Sequence, residues 1–455
     1  MVTFTLEQIA EAVSAKILKT VQTTFTGVFT DTRKILPGSV FIALCGEKFD
    51  GHDFIGQAIE KGAVAILVSR DFAETELGKY PVTVFQVPDT LKAYQALAHA
   101  WRLQFSLPVI AITGSNGKTT TKDLTAAVLS GRWKVLKTQA NFNNEIGLPL
   151  TLFQLTENHQ AAVVEMGMRG FGQIAELAEI ACPTVGIVTN VGETHMELLG
   201  SLENIAKAKA ELPAAIAADG VVILNADNVY TAQMKTLTKA RVLTFGLEQP
   251  ADVTADHIIS AEGQTLFICH LPDGKSAPFS LPMIGRHNLY NVLAAIAAGY
   301  ALGLSCEEMQ QGLQALESTK MRFEYKKVKE YHVINDAYNA SPMSMAAAID
   351  TLTEMAGGRR IAVLGDMLEL GQVSAEAHAN VGKKLAEKQM DAAVTYGDMA
   401  ALIAKTAAAN GVPFVRHCAS REEAAAVLHS YLQPGDSILF KGSRGMQMEK
   451  IIDLL

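Results

Sequence analysis

Seven consecutive residues concentrate the chemistry of this chain: Thr113-Gly114-Ser115-Asn116-Gly117-Lys118-Thr119. Two glycines allow backbone conformations closed to residues with a Cβ, so neighbouring N–H groups can turn toward one anion. Pro108 to Ile112 before them is a β-branched run that reads as a buried strand, and Asp123 to Leu129 after them has helical spacing. A helix opening at Lys118 aims its N-terminus at the same anion. Lys118 would reach outer phosphates, and the Thr119 hydroxyl would hold Mg²⁺. Gly114, Ser115, Asn116, Gly117, Lys118, Thr119 and Thr120 are therefore the phosphate-binding candidates. The strict phosphate-loop pattern has glycine where this chain has Ile112, which makes this a variant loop; a tight turn that binds nothing is the alternative.

Other residues gain meaning from their place relative to that loop. Glu165 ends the apolar run Ala161-Ala162-Val163-Val164, where a carboxylate is costly unless paired or on a metal. Mg²⁺ shared with Thr119 and phosphates is one solution, a structural salt bridge the other. His195, just past the strand-like Val185 to Asn190, is a metal ligand or a polar anchor. Asn288 and Asn291 lie one turn apart at the start of an apolar helix and suit either a nucleotide or helix capping. Arg322, Asp336, Asn339, Lys441, Ser443 and Arg444 fall at the entry and strand ends of the last part of the chain. A guanidinium over phosphates stabilises charge in transfer. Asp31, Arg33, Asp50 and His52 sit on polar loops near the start, and by residue type alone they read equally well as solvated loop charges.

The elements that must position these groups divide the chain in three. Residues 1–84 read as a small α/β domain, with a connecting helix over 85–107. Over 108–316, apolar runs ending in polar residues alternate with helices, which is a mostly parallel, helix-covered sheet. Ligands of such sheets gather at the carboxyl ends of the strands, where the loop, Glu165, Asn190 and His195 all lie. Over 317–455 the pattern restarts as a second doubly wound α/β unit without a phosphate loop.

Composition excludes several other classes. The chain has 455 residues, 49% hydrophobic and 19% charged, with a formal net charge of −8. That balance argues against nucleic-acid binding, which needs a basic footprint. The N-terminus lacks the basic and apolar regions of a signal peptide, and the longest apolar stretch, Asn291 to Leu304, fits a buried helix better than a membrane span. Cys45, Cys182, Cys269, Cys306 and Cys418 have no paired spacing and read as reduced core thiols of a cytoplasmic protein.

Taken together, the motifs resemble one family across essentially the whole chain, the ATP-dependent Mur ligases of peptidoglycan synthesis. The loop Thr113 to Thr119 is similar to that family's nucleotide loop. Further matching segments are Asp31-Thr32-Arg33, Asn141-Phe142-Asn143-Asn144-Glu145, His287-Asn288-Leu289-Tyr290-Asn291, Asp336-Ala337-Tyr338-Asn339, Leu364-Gly365-Asp366-Met367 and Lys441-Gly442-Ser443-Arg444. Within the family they are closest to the type that adds D-alanyl-D-alanine to UDP-N-acetylmuramoyl-tripeptide. The Asn-Pro-Arg signature of the diamino-acid-adding type is absent, and Asn335 stands where this type often has a second aspartate.

The resemblance implies three domains: a UDP-sugar-peptide domain, a central P-loop-like ATPase and a Rossmann-like domain for the incoming dipeptide. It implies ATP and two Mg²⁺ as cofactors, and a monomer. Asp31, Thr32, Arg33, Asp50, His52, Asn141, Asn143, Asn144, Tyr338, Asn339, Lys441, Ser443 and Arg444 would bind substrates. Asn288, Asn291, Arg322 and Asp336 would bind nucleotide. Thr119, Glu165, His195 and Lys209 would hold metal, and Lys118, Lys209, His195 and Arg322 would act in catalysis. Lys209 matches the family's carbamylated lysine, with Lys207 as the alternative registration. An unmodified ammonium about 4 Å from a divalent cation would meet roughly 8 kcal/mol of repulsion at an effective dielectric of 20.

Overall fold

The computed structural model describes residues 2–46, 49–71, 78–194, 196–261, 263–316, 323–355 and 358–455. His195 and Arg322, both expected at the site, lie outside the described residues. Two compact units emerge: residues 1–111, 133–167 and 173–184 form one, and residues 112–132, 168–172 and 185–455 the other.

In the first unit, a five-stranded sheet runs in the order Lys16–Lys19, Thr83–Gln86, Ala63–Val68, Ser39–Ile42, Val28–Phe29. Only the Lys16–Lys19 edge is antiparallel. Ser39–Ile42 is buried throughout, and Ala63–Val68 nearly so, as parallel strands covered on both faces must be. The expected connecting helix spans Thr90–Arg102; the Asp89 carboxylate caps it by accepting from the Leu91 and Lys92 N–H groups. It buries Tyr94, Leu97 and Trp101, while the Arg102 guanidinium donates to the carbonyls of Ala181, Phe105 and Leu107. The polar loop expected to carry Asp50 and His52 includes a 3₁₀ turn, Gly51–Phe54, which the Asp50 side chain caps by accepting from the His52 N–H.

Within the first unit, Ala161–Glu165 and Val135–Lys137 also pair in parallel. Within the second unit, Val185–Val188, Val221–Asn225 and Arg241–Phe245 pair in parallel. The expected alternation of strand and helix omits an antiparallel three-stranded sheet, Thr254–Ala261, Gln264–His270 and Ser276–Leu281. Its strands are half exposed, and one-sided burial produces a period-2 pattern rather than an apolar run.

The last sheet runs Glu324–Val328, Tyr331–Asp336, Ser437–Lys441, Arg360–Gly365, Ala392–Tyr396, Phe414–Cys418, all parallel except the first hairpin. Adjacent residues point into opposite cores. Ile334, Ala362 and Leu439 pack among Pro342–Glu354, Ser374–Glu387 and Ala400–Ala409, whereas Val333, Ile361 and Ile438 pack against Arg421–Tyr431 and Glu449–Ile452. Helices on both faces of a parallel sheet make this unit doubly wound, as its alternating strands and Ala-rich helices imply.

Candidate active site

The phosphate-loop candidates form a tight cradle. Ile110 to Thr113 is fully buried, and the helix Lys118–Ser130 follows with Gly117 as a left-handed N-cap, φ +80°. A Cβ on Gly114 (φ +149°) would meet Thr189 Oγ1 at 1.9 Å, and one on Gly117 would meet Asn291 Oδ1 at 2.4 Å. Both positions are therefore closed to any other residue by contact as well as by conformation. Strand Val185–Val188 and the residues after it brace the loop. The Asn116 N–H donates to Asn190 Oδ1 at 2.9 Å, and the Asn116 carbonyl accepts from Thr189 Oγ1 at 2.6 Å. Ser115 Oγ donates to the Gly192 carbonyl at 2.9 Å. Lys118 Nζ curls over the loop to the Gly114 carbonyl at 2.7 Å, so its ammonium lies where a phosphate group would be neutralised. A cradle that a Cβ would fill, with an ammonium above it, fits a nucleotide's phosphates.

Asn288 and Asn291 are both buried and serve the protein first. Thr121 Oγ1 donates to Asn291 Oδ1 at 3.2 Å, Asn291 Nδ2 to Asn288 Oδ1 at 3.4 Å, and Asn288 Nδ2 to the Ile284 carbonyl at 2.8 Å. The pair thus ties the helix Lys118–Ser130, which follows the loop, to the helix Arg286–Ala301. Asp227, which the sequence reading passed over, anchors the same helix. It accepts from the N–H groups of Leu247, Glu248 and Gln249 and from the Tyr290 hydroxyl. Burial pushes its carboxyl up, but these donors outweigh burial and hold it below the usual carboxylate range.

Of the two lysines on helix Leu202–Ala215, Lys207 is exposed and Lys209 is 2% exposed. Burial, reinforced by the Lys118 ammonium, drives the Lys209 amine well below its ordinary value. A buried neutral amine is the form that reacts with carbon dioxide.

In the first unit, Glu165 is buried, accepts from Asn143 Nδ2 at 2.8 Å and donates its N–H to Thr138 Oγ1. Asn143 is itself placed by the Gly167 N–H on its carbonyl, and Asn144 Oδ1 accepts from Gly147 N–H ahead of helix Gly147–Leu152. Asn141 is exposed on the same loop. Asp31 and Arg33 are partners: the guanidinium donates to both carboxylate oxygens, which lowers the Asp31 carboxyl to about 2. Thr32 Oγ1 donates to Gln57.

His52 is buried, and its Nε2 accepts from the Ser69 N–H at 3.0 Å. The proton therefore sits on Nδ1, which donates to Asp50 Oδ1 at 2.6 Å. Cys45 Sγ lies 3.6 Å from both groups. These three residues have ligand atoms close enough for a metal ion, but the Ser69 N–H fixes the tautomer that occupies Nδ1 with hydrogen, so the trio reads as a hydrogen-bonded cluster. Burial pushes the Asp50 carboxyl up; the His52 bonds and the Arg70 guanidinium outweigh it and leave Asp50 well below its ordinary range. Arg70 follows the strand Ala63–Val68, and that strand end was the available signal for it. Cys45 is exposed and Cys182 and Cys306 are half-buried, which corrects the reading of all five cysteines as core thiols.

In the last sheet, Asp336 and Lys441 end neighbouring parallel strands and face each other at 2.5 Å. Lys441 is buried and also donates to the Asn339 carbonyl, so two groups expected to bind different ligands are partners here. Ser443 is buried, and its hydroxyl accepts from the Leu368 N–H. Arg444 pairs with Glu449 at 2.6 Å, and Tyr338 lies between Asp336 and Asn339 in the loop after the strand.

Comparison with known proteins decides the family. The chain matches three family descriptions: "Mur ligase family, catalytic domain" over residues 24–102, "Mur ligase middle domain" over 112–299, and "Mur ligase, glutamate ligase domain" over 321–444. It is 40% identical to the UDP-N-acetylmuramoyl-tripeptide–D-alanyl-D-alanine ligase of Bacillus subtilis, covering 99% of this chain and 98% of that one. The chain belongs to the Mur ligase family. Among solved structures, MurF from Acinetobacter baumannii superposes with a TM-score of 0.91 at 32% identity, covering 100% of this Mur ligase and 99% of that chain. The MurF ligase of Thermotoga maritima in complex with ADP gives 0.84 at 28% identity, covering 94% and 96%. The three-domain α/β fold expected from sequence is thereby established.

Proposed function

We propose that this chain joins D-alanyl-D-alanine to UDP-N-acetylmuramoyl-tripeptide with ATP, yielding the UDP-linked pentapeptide, ADP and phosphate, in cytoplasmic peptidoglycan precursor synthesis. The observation that carries this reading is the phosphate cradle of Gly114, Gly117 and Lys118, set in a chain that aligns end to end with ligases of that name. We retain the division into residues 1–84 for the UDP-sugar peptide, 108–316 for ATP and 317–455 for the dipeptide.

A carboxylate is a poor acyl donor because oxide does not leave. In the proposed reaction the tripeptide carboxylate attacks the γ-phosphorus of ATP, forming an acyl phosphate and releasing ADP. The dipeptide amine then attacks the acyl carbon, a tetrahedral species forms and collapses, and phosphate departs. The chain's own task is positioning and charge neutralisation. Lys118 neutralises the outer phosphates, Gly114 to Thr120 orient them through the backbone, and Arg322 spreads charge in transfer. Thr119, Glu165, His195 and carbamylated Lys209 are assigned to two Mg²⁺, which supply further charge neutralisation when bound. Carbamylation needs an unprotonated amine, and the depressed pKa of Lys209 supports it. Asp31, Thr32, Arg33, Asp50 and His52, with Asn141, Asn143 and Asn144, are assigned to the UDP-sugar peptide. Asn288, Asn291 and Asp336 are assigned to the nucleotide, and Tyr338, Asn339, Lys441, Ser443 and Arg444 to the dipeptide.

Phosphate release, measured with ATP, Mg²⁺ and the tripeptide in the presence and absence of D-alanyl-D-alanine, tests the assignment, with mass detection of product. Dipeptide-dependent release with a pentapeptide product is expected. ATP turnover that ignores the dipeptide would overturn the substrate assignment in favour of a kinase-like or regulatory ATPase.

A further inference from the structure

One member of the phosphate loop faces away from the cradle. The backbone of Asn116 is committed to Asn190 and Thr189, but its side chain is held by residues from beyond the last sheet's Tyr331–Asp336 strand. Ser341 Oγ donates to Asn116 Oδ1 at 2.9 Å, and Asn116 Nδ2 donates to Met343 Sδ at 3.5 Å. Met343 also covers Gly192, where a Cβ would meet its methyl at 2.3 Å. Ser341 is buried, although it lies on the loop leading into helix Pro342–Glu354. Its hydroxyl has a second duty: it accepts from the Ser344 N–H and caps that helix.

We infer that Ser341 is a positioning residue for the proposed reaction, joining the phosphate loop through Asn116 to the helix Pro342–Glu354 of the last domain. All three contacts lie within one compact unit. One hydroxyl bonds both a loop residue and a helix N-terminus, so a displacement of the loop when phosphate binds is delivered to that helix. The hydroxyl proton goes to Asn116 and a lone pair takes the Ser344 N–H, a division of roles that a hydroxyl provides from a single atom. The inference rests on the proposed ligase reading for its kinetic consequence, but not for its structural one.

The test separates the two duties. Glycine is a fair N-cap, so Ser341→Gly removes the donor to Asn116 while leaving most of the capping. Asn116→Ala removes the bridge from the other side, and Ser341→Thr restores a hydroxyl. Hydrogen exchange of the amides of residue 341 and residues 343–345 is read with and without an ATP analogue and Mg²⁺. Nucleotide-dependent protection in the wild type and in Ser341→Thr, absent from Ser341→Gly and Asn116→Ala, is expected. The same protection in all four, or none in the wild type, overturns the proposal. In turnover, Ser341→Gly should lower kcat/KM for the dipeptide about five- to tenfold, the scale of one lost hydrogen bond, with nucleotide affinity unchanged. An equal loss in nucleotide affinity would make Ser341 only a brace of the loop. Wild-type ATP turnover that ignores dipeptide would sink the substrate reading, while the exchange experiment still decides the coupling.

Discussion

At the scale of single residues, burial separates Lys209 from Lys207. A lysine amine sealed from water and set near a second ammonium has its pKa driven well below the ordinary lysine value. If that amine carries a carbamate, Lys209→Ala lowers ligation by about 100-fold or more, the scale of a lost charge-stabilising group, and added acetate or formate restores part of the rate. Lys209→Arg gains nothing from either salt. Labelled bicarbonate should give a carbamate carbon signal in the wild type that both variants lack. The two glycines of the candidate loop were legible in sequence because space dictates them: no residue with a Cβ fits at Gly114 beside Thr189 or at Gly117 beside Asn291. The partnership of Asp336 with Lys441 was not, since each reads alone as an available charge and only strand pairing brings them to 2.5 Å.

Among elements, the helix that opens at the phosphate loop is fixed by how closely its neighbour approaches. A Cβ on Gly312 would meet the Ala127 carbonyl oxygen at 2.0 Å, and one on Gly131 would meet that of Glu308 at 1.8 Å. Helices Lys118–Ser130 and Cys306–Gln314 thus cross backbone to backbone. Gly312→Ala should destabilise the protein by about 3 kcal/mol through overpacking, read as a lower urea midpoint. It should also weaken nucleotide binding, because the crossing sets where the loop stands. Unchanged nucleotide affinity would show that the crossing serves stability alone. Buried parallel strands were readable as apolar runs, Ala161–Glu165 and Ser437–Lys441 being fully buried. The antiparallel sheet was hidden because Thr254–Ala261 is polar and largely exposed, with a register shift between Asp256 and Ile259.

For the whole molecule, one route by which pH acts is His287, at the start of helix Arg286–Ala301. Its Nδ1 is buried without a hydrogen-bond partner among the described residues, and its ring meets Phe323 edge-on at 4.6 Å. Burial is the main force lowering it to about 4; Asp336 opposes the shift and Lys441 adds to it. Between about pH 6.5 and pH 4 the unfolded chain takes up a proton that the folded chain refuses, so stability falls as pH drops through that window. Urea midpoints at pH 7.5 and pH 5 should differ less in His287→Gln than in the wild type. An identical difference would assign the acid sensitivity to other groups. The α/β fold class was legible because each parallel sheet repeats its own strand–helix rhythm, while the positions of paired charges depend on strand order that no local pattern encodes.

That strand order has a consequence for biosynthesis. Ser437–Lys441 sits third in its sheet, between Tyr331–Asp336 and Arg360–Gly365, yet it is the last of the six to leave the ribosome. A nascent chain ending before it holds a hairpin and a separate three-stranded piece, with two open edges ready to join the wrong neighbour. The last domain therefore closes only after translation has passed residue 441, and that delay defines an interval in which chaperones would matter most.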